Sequence, residues 1–467
     1  MNEPEGYGDE MTPAPETLAE LVDLVGAEDC ILDPASMEAY RYDWSRFPGA
    51  GMPCAVVRPR TAAQVQAAVR WAASHGIPVV PRGAGSGLAG ASSGIEGGLT
   101  ISLERMTAIE IDPATRTAVV EPGAFNASVK RAAAEHGLFY PPDPSSFEIC
   151  SIGGNIATNA GGLCCVKYGV TTDYVLGLDV VLADGRLISL GGKRIKDVAG
   201  LSLMKLFVGS EGTLGIVTRI TLRLVPAPPS AATLVATFPT ARSAAEAVVE
   251  MGRTIRASMV EFMDQRAINI AEDFTSMGLD RAAGGLLVVQ SDAPGGAREE
   301  EMAAIEAVCE AAGATEVFRT DDAAEGEAFL AARRAFFPAC ERMGALLIED
   351  VGVPVPALPD LISGVAEIAV RYDTDIPVVA HAGDGNTHPN LIYDASDPAA
   401  RERAEAAFVE IMQLAIDLGG TITGEHGVGR FKLGSLSAQL GSDVMDVTHA
   451  IKKALDPQGI LNPGSAI

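Results

Sequence analysis

The chain has 467 residues, 48% of them hydrophobic, and its 35 Lys plus Arg against 61 Asp plus Glu give a net charge of −26. That length exceeds the roughly 250–300 residues at which a single core stops growing, so two or more domains are expected. The charge repels phosphate backbones and anionic membrane surfaces, so nucleic acid is not an expected partner, and no apolar run is long enough to be a transmembrane segment.

The first 15 residues are acidic and rich in Gly and Pro, which predicts a disordered tail with order beginning near Glu16. They carry no basic start and no apolar run, so neither a secretory signal nor a transit peptide is expected. Seven cysteines, an odd number with no C-x-x-C pair, point to reduced thiols and a cytoplasmic location. Their spacing cannot build an iron–sulfur cluster.

Thr61 is placed to cap a helix with the apolar stripe Val65, Ala68, Val69 and Ala72, ending at Gly76 before the strand-like run Ile77–Val80. The chain then enters Pro81-Arg-Gly-Ala-Gly-Ser-Gly-Leu-Ala-Gly90. Gly85–Gly90 matches G-x-G-x-x-G, but a nicotinamide fingerprint needs a helix to begin within the glycines, and here the sequence continues as loop to Gly98. Such a loop presents backbone N–H groups that suit a diphosphate.

Thr117–Glu121 reads as a strand, followed by a helix capped at Asn126. A second glycine loop spans Ser151–Gly162, Asp184-Gly185 marks a hairpin, and a third glycine loop, Gly209–Ile216, leads into a strand reaching Val225. Three separated glycine loops in one domain favour an extended nucleotide cofactor. The Pro-rich stretch Val225–Ser230 marks a domain boundary, after which helical segments alternate with apolar strands in the pattern of an α+β layer.

Three of the six histidines lie in His381-Ala-Gly-Asp-Gly-Asn-Thr-His388 and Gly424-Glu425-His426-Gly427, each segment following a run expected to be a strand (Val378–Ala380 and Thr421–Thr423). Singly these are compatible with structural histidines. Together they offer a borderline divalent ion two imidazoles and a carboxylate, with one histidine left for proton transfer.

The glycine segments, with Pro141–Ser146 and Gly209–Val217, resemble the FAD-binding domain of the vanillyl-alcohol-oxidase type. The stretches Asp350–Pro354, His381–Asn390, Gly419–Arg430 and Leu455–Gly464 resemble the C-terminal domain of FAD-linked oxidases, in the glycolate oxidase catalytic subunit and D-lactate dehydrogenase group. The resemblance covers nearly the whole chain. It implies an α+β fold: a two-subdomain FAD-binding domain over 16–227, an α+β substrate-cap domain with antiparallel sheet over 228–418, and a C-terminal segment, 419–467, returning to the FAD domain.

It further implies that Arg82, Gly83, Gly85, Ser86, Gly87, Pro142, Ser146, Gly153, Gly154, Asn155, Thr158, Asn159, Gly215, Ile216 and Asn462 hold FAD. Relatives with covalent flavin carry a histidine in the first loop, and none occurs here between His75 and His136, so the FAD is expected to be non-covalent. His381, His388 and Glu425 are the implied ligands of Zn, Mn or Fe. His426 is the implied base, Arg333 the grip on the substrate carboxylate, and Asn390 a substrate hydrogen-bond partner.

The implied activity is FAD-dependent, metal-assisted oxidation of D-lactate or glycolate to the 2-oxo acid by hydride transfer to flavin. Relatives oxidising hydroxyglutarate place a lysine near the position of Ile348, which favours a smaller or apolar substrate; Phe337 and Ile348 are expected to line its pocket. The alternatives are a D-2-hydroxyglutarate-type dehydrogenase and a non-redox flavin-dependent transferase of the alkylglycerone-phosphate synthase type. A quinone, a cytochrome, an iron–sulfur subunit or oxygen would accept the electrons, and a homodimer is left open.

Overall fold

A computed structural model describes residues 13–467. Most of the acidic tail expected over 1–15 lies outside the described residues, and Pro15 already opens the helix Pro15–Val25. Two compact units emerge: one of residues up to Ala160, Val170–Ala227 and His426–Ile467, the other of Gly161–Gly169 and Pro228–Glu425.

The described residues of the first unit hold a four-stranded sheet, a five-stranded sheet and the two-stranded pair of Leu138–Phe139 with Val225–Pro226. In the first, Ala55–Val57 and Val79–Arg82 both run parallel to Leu99–Ser102, and Cys30–Ile31 closes the other edge antiparallel. Thr61 caps the helix Ala62–His75 by accepting from the Gln64 amide, and Gly76 ends it at φ 65°. Its expected stripe is buried against Leu99, Ile101 and Ile216. The second sheet is antiparallel, with Ile216–Arg223 between Thr117–Val120 and Val175–Val181, and with Leu187–Gly191 paired across the Asp184-Gly185 turn.

Two local expectations differ from the structure. Phe125 rather than Asn126 occupies the N-cap of the helix Asn126–Ala134, because the Asn126 amide is engaged elsewhere, donating to the Pro142 carbonyl and to Asn155 Oδ1. Much of the second glycine loop is the helix Ile152–Thr158, capped by Ser151, whose hydroxyl accepts from the Gly154 amide. The cap overrides the low helix propensity of two glycines.

In the second unit an antiparallel sheet takes the order Glu316–Thr320, Ala232–Phe238, Gly285–Ser291, Met259–Asp264, Val378–His381, Asn386–Tyr393, Ala345–Ile348, with Val351–Gly352 also on Asn386–Tyr393. Met259, Met263, Val288 and Val379 form a core with residues of the helices Gln265–Thr275 and Ala323–Glu341. The short segment 161–169 belongs here: Leu163 enters that core, and Lys167 and Tyr168 both bind the Asp292 carboxylate.

Candidate functional site

The glycine segments of the first unit are joined by one hydroxyl. Ser151 Oγ accepts from the Ala84 amide (3.2 Å) as well as from Gly154 (3.3 Å), which docks the first loop on the second segment. A Cβ on Gly83 would meet that hydroxyl at 2.4 Å. Gly87 is different: a Cβ there would meet nothing nearer than Asp43 at 3.9 Å, and one on Gly154 only Ser151 Oγ at 3.3 Å. Neither has a positive φ. Packing therefore does not explain Gly87, whereas close approach of a ligand to the backbone does, and the loop's backbone fits a diphosphate.

Other residues expected at the cofactor serve the scaffold. A Cβ on Gly215 would stand 2.5 Å from Val180, one on Gly153 would stand 2.6 Å from Pro122, and Ile216 lies in the core. Asn155 is committed to Asn126 and Cys150, and Asn159 Oδ1 accepts from the Thr172 amide. Arg82 is buried, donates to the Ser92 carbonyl and lies beneath Gly85. The Pro142 carbonyl receives Asn126, the Ser146 carbonyl accepts from the Cys150 amide, and Thr158 donates to the Gly154 carbonyl; Ser86 remains in the loop.

The C-terminal segment is fastened to this unit. Leu461 bridges Val79 in parallel, and Asn462 donates to the carbonyls of Ala91 and Glu211 while accepting from Arg430. Glu211 is a residue that sequence reasoning missed. Its buried carboxylate accepts from the amides of Val428 (2.8 Å) and Gly429 (2.9 Å), fixing the turn that follows His426. Burial pushes its pKa up to about 7 against the pull of those two bonds.

The second unit assembles its site on one face of the sheet. Glu261 pairs directly with His381, His381 with Asn386, and Val379 with His388, so strand alternation aims Glu261, His381, His388 and Asn390 at the same side. Glu425 lies on a loop rather than at the end of the expected strand Thr421–Thr423, of which only Thr421 forms a bridge, to Gly352. Asp350 holds that loop: its Oδ2 accepts from Thr423 Oγ1 (2.7 Å) and from the amides of Gly424 (2.9 Å) and Glu425 (3.0 Å).

Three expected ligands converge. Glu425 Oε1 stands 3.2 Å from His381 Nε2 and 3.3 Å from His388 Nε2. Ligands about 2.1 Å from a tetrahedral ion lie about 3.4 Å apart, so the spacing fits a metal. The outer nitrogens face carboxylates too, with His381 Nδ1 2.6 Å from Glu261 Oε1 and His388 Nδ1 3.7 Å from Asp350 Oδ1. With Nδ1 of His381 donating to Glu261, Nε2 donates to Glu425 when the ring is an imidazolium, and offers its lone pair to a cation between the two when the ring is neutral. Burial opposes a charged His381, but Glu261 and Glu425 outweigh it and raise its pKa well above the ordinary value. Burial likewise opposes a charged Glu425, yet His381 and His388 hold its pKa well below the usual range.

The remaining expected residues sit around this centre. Arg333, on the helix Ala323–Glu341, is buried with Nε 3.0 Å from Glu261 Oε2 in an ion pair that lacks hydrogen-bond geometry, so neither its Nε nor its Nη2 has a hydrogen-bond partner. Asn390 donates to the His388 carbonyl at 2.6 Å, while its Oδ1 is buried without a partner. The Phe337 ring meets His388 edge-on at 6.4 Å, and Ile348 lies opposite Asn390. Asp384 braces the turn by accepting from the Asn386 amide, and burial raises its pKa to about 7. His426 follows Glu425 directly in the chain and opens the last segment of the first unit. Glu261 was also missed, though an acid within Met-Val-Glu-Phe-Met was a signal, since a buried carboxylate requires partners.

Comparison with known proteins bears on both units. Residues 53–191 match the FAD binding domain family, and residues 227–466 match the family described as FAD linked oxidases, C-terminal domain. The chain is 42% identical to glycolate oxidase subunit GlcD of Bacillus subtilis (strain 168), over 95% of each chain. It is 36% identical to D-lactate dehydrogenase of Archaeoglobus fulgidus, over 92% of this chain and 96% of the relative. The structure of p-cresol methylhydroxylase with substrate bound superposes with a TM-score of 0.81 at 18% identity, covering 97% of this chain and 96% of that one, which is a likeness of fold.

Proposed function

This chain belongs to the family of FAD-linked oxidases, and on that premise we propose that it oxidises a small D-2-hydroxy acid, D-lactate or glycolate, to the 2-oxo acid with assistance from a divalent metal. The observation that carries the reading is the convergence of two imidazole nitrogens on one oxygen of Glu425, with a buried carboxylate facing the outer nitrogen of each ring. FAD supplies the hydride acceptor when bound, and a divalent ion at His381, His388 and Glu425 supplies polarisation of the substrate hydroxyl.

The chain's own groups do the rest. Arg333 offers a buried donor to the substrate carboxylate at Nη2, which orients the molecule before reaction. His426 takes the hydroxyl proton on its imidazole, whose ring nitrogen can serve as a general base. The Asn390 amide oxygen accepts from the substrate, and the apolar Phe337 and Ile348 suit a hydrogen or methyl substituent on C2 over one that carries a second carboxylate. Glu211 maintains the backbone after His426. A bound flavin would pass its electrons to an external acceptor such as a quinone, a cytochrome, an iron–sulfur subunit or oxygen.

The test is an anaerobic panel of D- and L-2-hydroxy acids read at the flavin absorbance band. D-lactate or glycolate should bleach the bound flavin within the mixing time of a manual experiment, with the L-isomer of lactate inert. Failure of every 2-hydroxy acid to bleach it would overturn the reading and leave the non-redox transferase.

A further inference from the structure

We propose that Glu261 is a shared positioning residue, a single carboxylate that sets both the metal-facing nitrogen of His381 and the guanidinium of Arg333. Its two oxygens are divided between them, Oε1 at 2.6 Å from His381 Nδ1 and Oε2 at 3.0 Å from Arg333 Nε. The inference rests on the proposed function, because it gives His381 and Arg333 their roles as ligand and substrate grip.

Three features support coordination of two roles over a simple buried ion pair. First, register fixes the geometry: Glu261 lies directly across the ladder from His381, so its side chain rises beside the imidazole without any loop to adjust. Second, all three side chains are 97% buried or more, so solvent cannot replace either partner, and removing the carboxylate leaves two stranded donors. Third, each contact leaves the useful end of its partner unspent. Accepting from Nδ1 leaves Nε2 of His381 facing Glu425, and the ion pair at Nε of Arg333, which lacks hydrogen-bond geometry, leaves Nη2 with no hydrogen-bond partner.

The arrangement links two events that sequence alone keeps apart, since Glu261, Arg333 and His381 lie on separate elements. An ion held by His381 would fix the imidazole against Glu261, and through the same carboxylate would fix Arg333. Substrate grip is therefore expected to depend on metal occupancy through one residue that touches neither ligand.

The experiment uses the FAD-loaded full chain, wild type first, titrated with zinc or manganese against a chromogenic chelator and then assayed for D-lactate oxidation. Glu261→Gln keeps the shape but turns an N–H group on one of two donors. Its metal affinity should fall 10- to 100-fold. At saturating metal its KM for D-lactate should rise about tenfold, the loss of one charge-assisted hydrogen bond, with a smaller change in kcat. Glu261→Asp keeps the charge but is one methylene too short for both partners, so it should restore one of the two readouts and not the other. Wild-type metal affinity and KM in Glu261→Gln, with or without a lower melting temperature, would reduce Glu261 to a structural ion pair and overturn the inference. If Glu261→Gln fails to fold, Glu261→Asp decides: recovery of neither readout or of both overturns it. A wild-type chain that takes up neither metal removes the metal reading itself and this inference with it, and that outcome is seen before any variant is made.

Discussion

The two units build their candidate sites by opposite means. In the first, the glycine segments work by what they lack: Gly87 leaves space beside the backbone in which a Cβ would meet nothing nearer than Asp43 at 3.9 Å. In the second, Glu261, Arg333, Asp350, His381, His388 and Glu425 crowd charge into a buried face of a sheet. The buried acids diverge with their partners. Burial raises Glu211 to about 7 against the pull of two backbone amides, as it raises Asp264 and Asp384 of the second unit, whereas Glu425, between two imidazoles, is held well below the usual range. A cradle made of backbone tolerates changes in side chains outside it, while a charge network fails when one member is removed.

The sharpest break in that contrast is Glu425→Ala. It removes the oxygen on which both histidines converge, so we expect turnover of D-lactate to fall about a thousandfold, as for loss of a group that stabilises charge in the transition state. The flavin should stay bound at wild-type stoichiometry. Steady-state rates, elemental analysis and the ratio of flavin to protein absorbance measure the three quantities on one sample. Unchanged turnover would take the metal out of the mechanism; lost flavin would show that the two sites do not fail separately.

A pair of glycine variants probes the other side. Gly87→Ala adds a methyl that meets no protein atom within 3.9 Å, so the apoprotein should melt as wild type does while FAD affinity falls, by roughly tenfold to a hundredfold for a crowded contact. Gly215→Ala should do the reverse, because its Cβ would press on Val180 and Phe207: roughly 1–3 kcal/mol of stability lost, with less effect on the cofactor. Melting curves and flavin titration of both proteins check the crossing pattern. Equal FAD affinity in Gly87→Ala and wild type would mean that the open space at residue 87 is not the diphosphate cradle.

The same contrast explains what could be read in the sequence. Periodicity and the Thr61 cap located the helix Ala62–His75, and the run Val378–Ala380 lies in the strand Val378–His381, because local hydrogen bonding and an apolar run decide them. The ligand trio was legible because its residue types are rare and clustered. Glu261 escaped because its meaning depends on a cross-strand partner 120 positions away, and Glu211 because its partners are backbone amides 217 and 218 positions away, which bear no side-chain mark. The helix Ile152–Thr158 was hidden by its glycines, whose propensity argues against a helix that a serine cap and tertiary packing sustain. Gly215 looked like a cofactor glycine for the same reason: the sequence cannot distinguish a residue made small for a ligand from one made small for a neighbouring valine.

The smallest expected effect concerns the acid of the backbone-built side. Glu211 has a folded pKa of about 7 against an ordinary value of 4.5, so the folded chain holds this proton more tightly than the unfolded one. Its contribution to stability is therefore complete below pH 4.5 and is lost as the pH rises through 7. Glu211→Gln carries no titrating group yet retains an oxygen for the amides of Val428 and Gly429. The stability of wild type minus that of the variant should accordingly decline between pH 4.5 and 7.5, by about 2–3 kcal/mol at the outside. Asp264, in the second unit, is also raised to about 7, but it is common to both proteins and cancels in the difference. Denaturation at a series of pH values measures that difference. A flat profile would mean that Glu211 ionises freely in its cradle, and the opposition between the raised Glu211 and the depressed Glu425 would collapse.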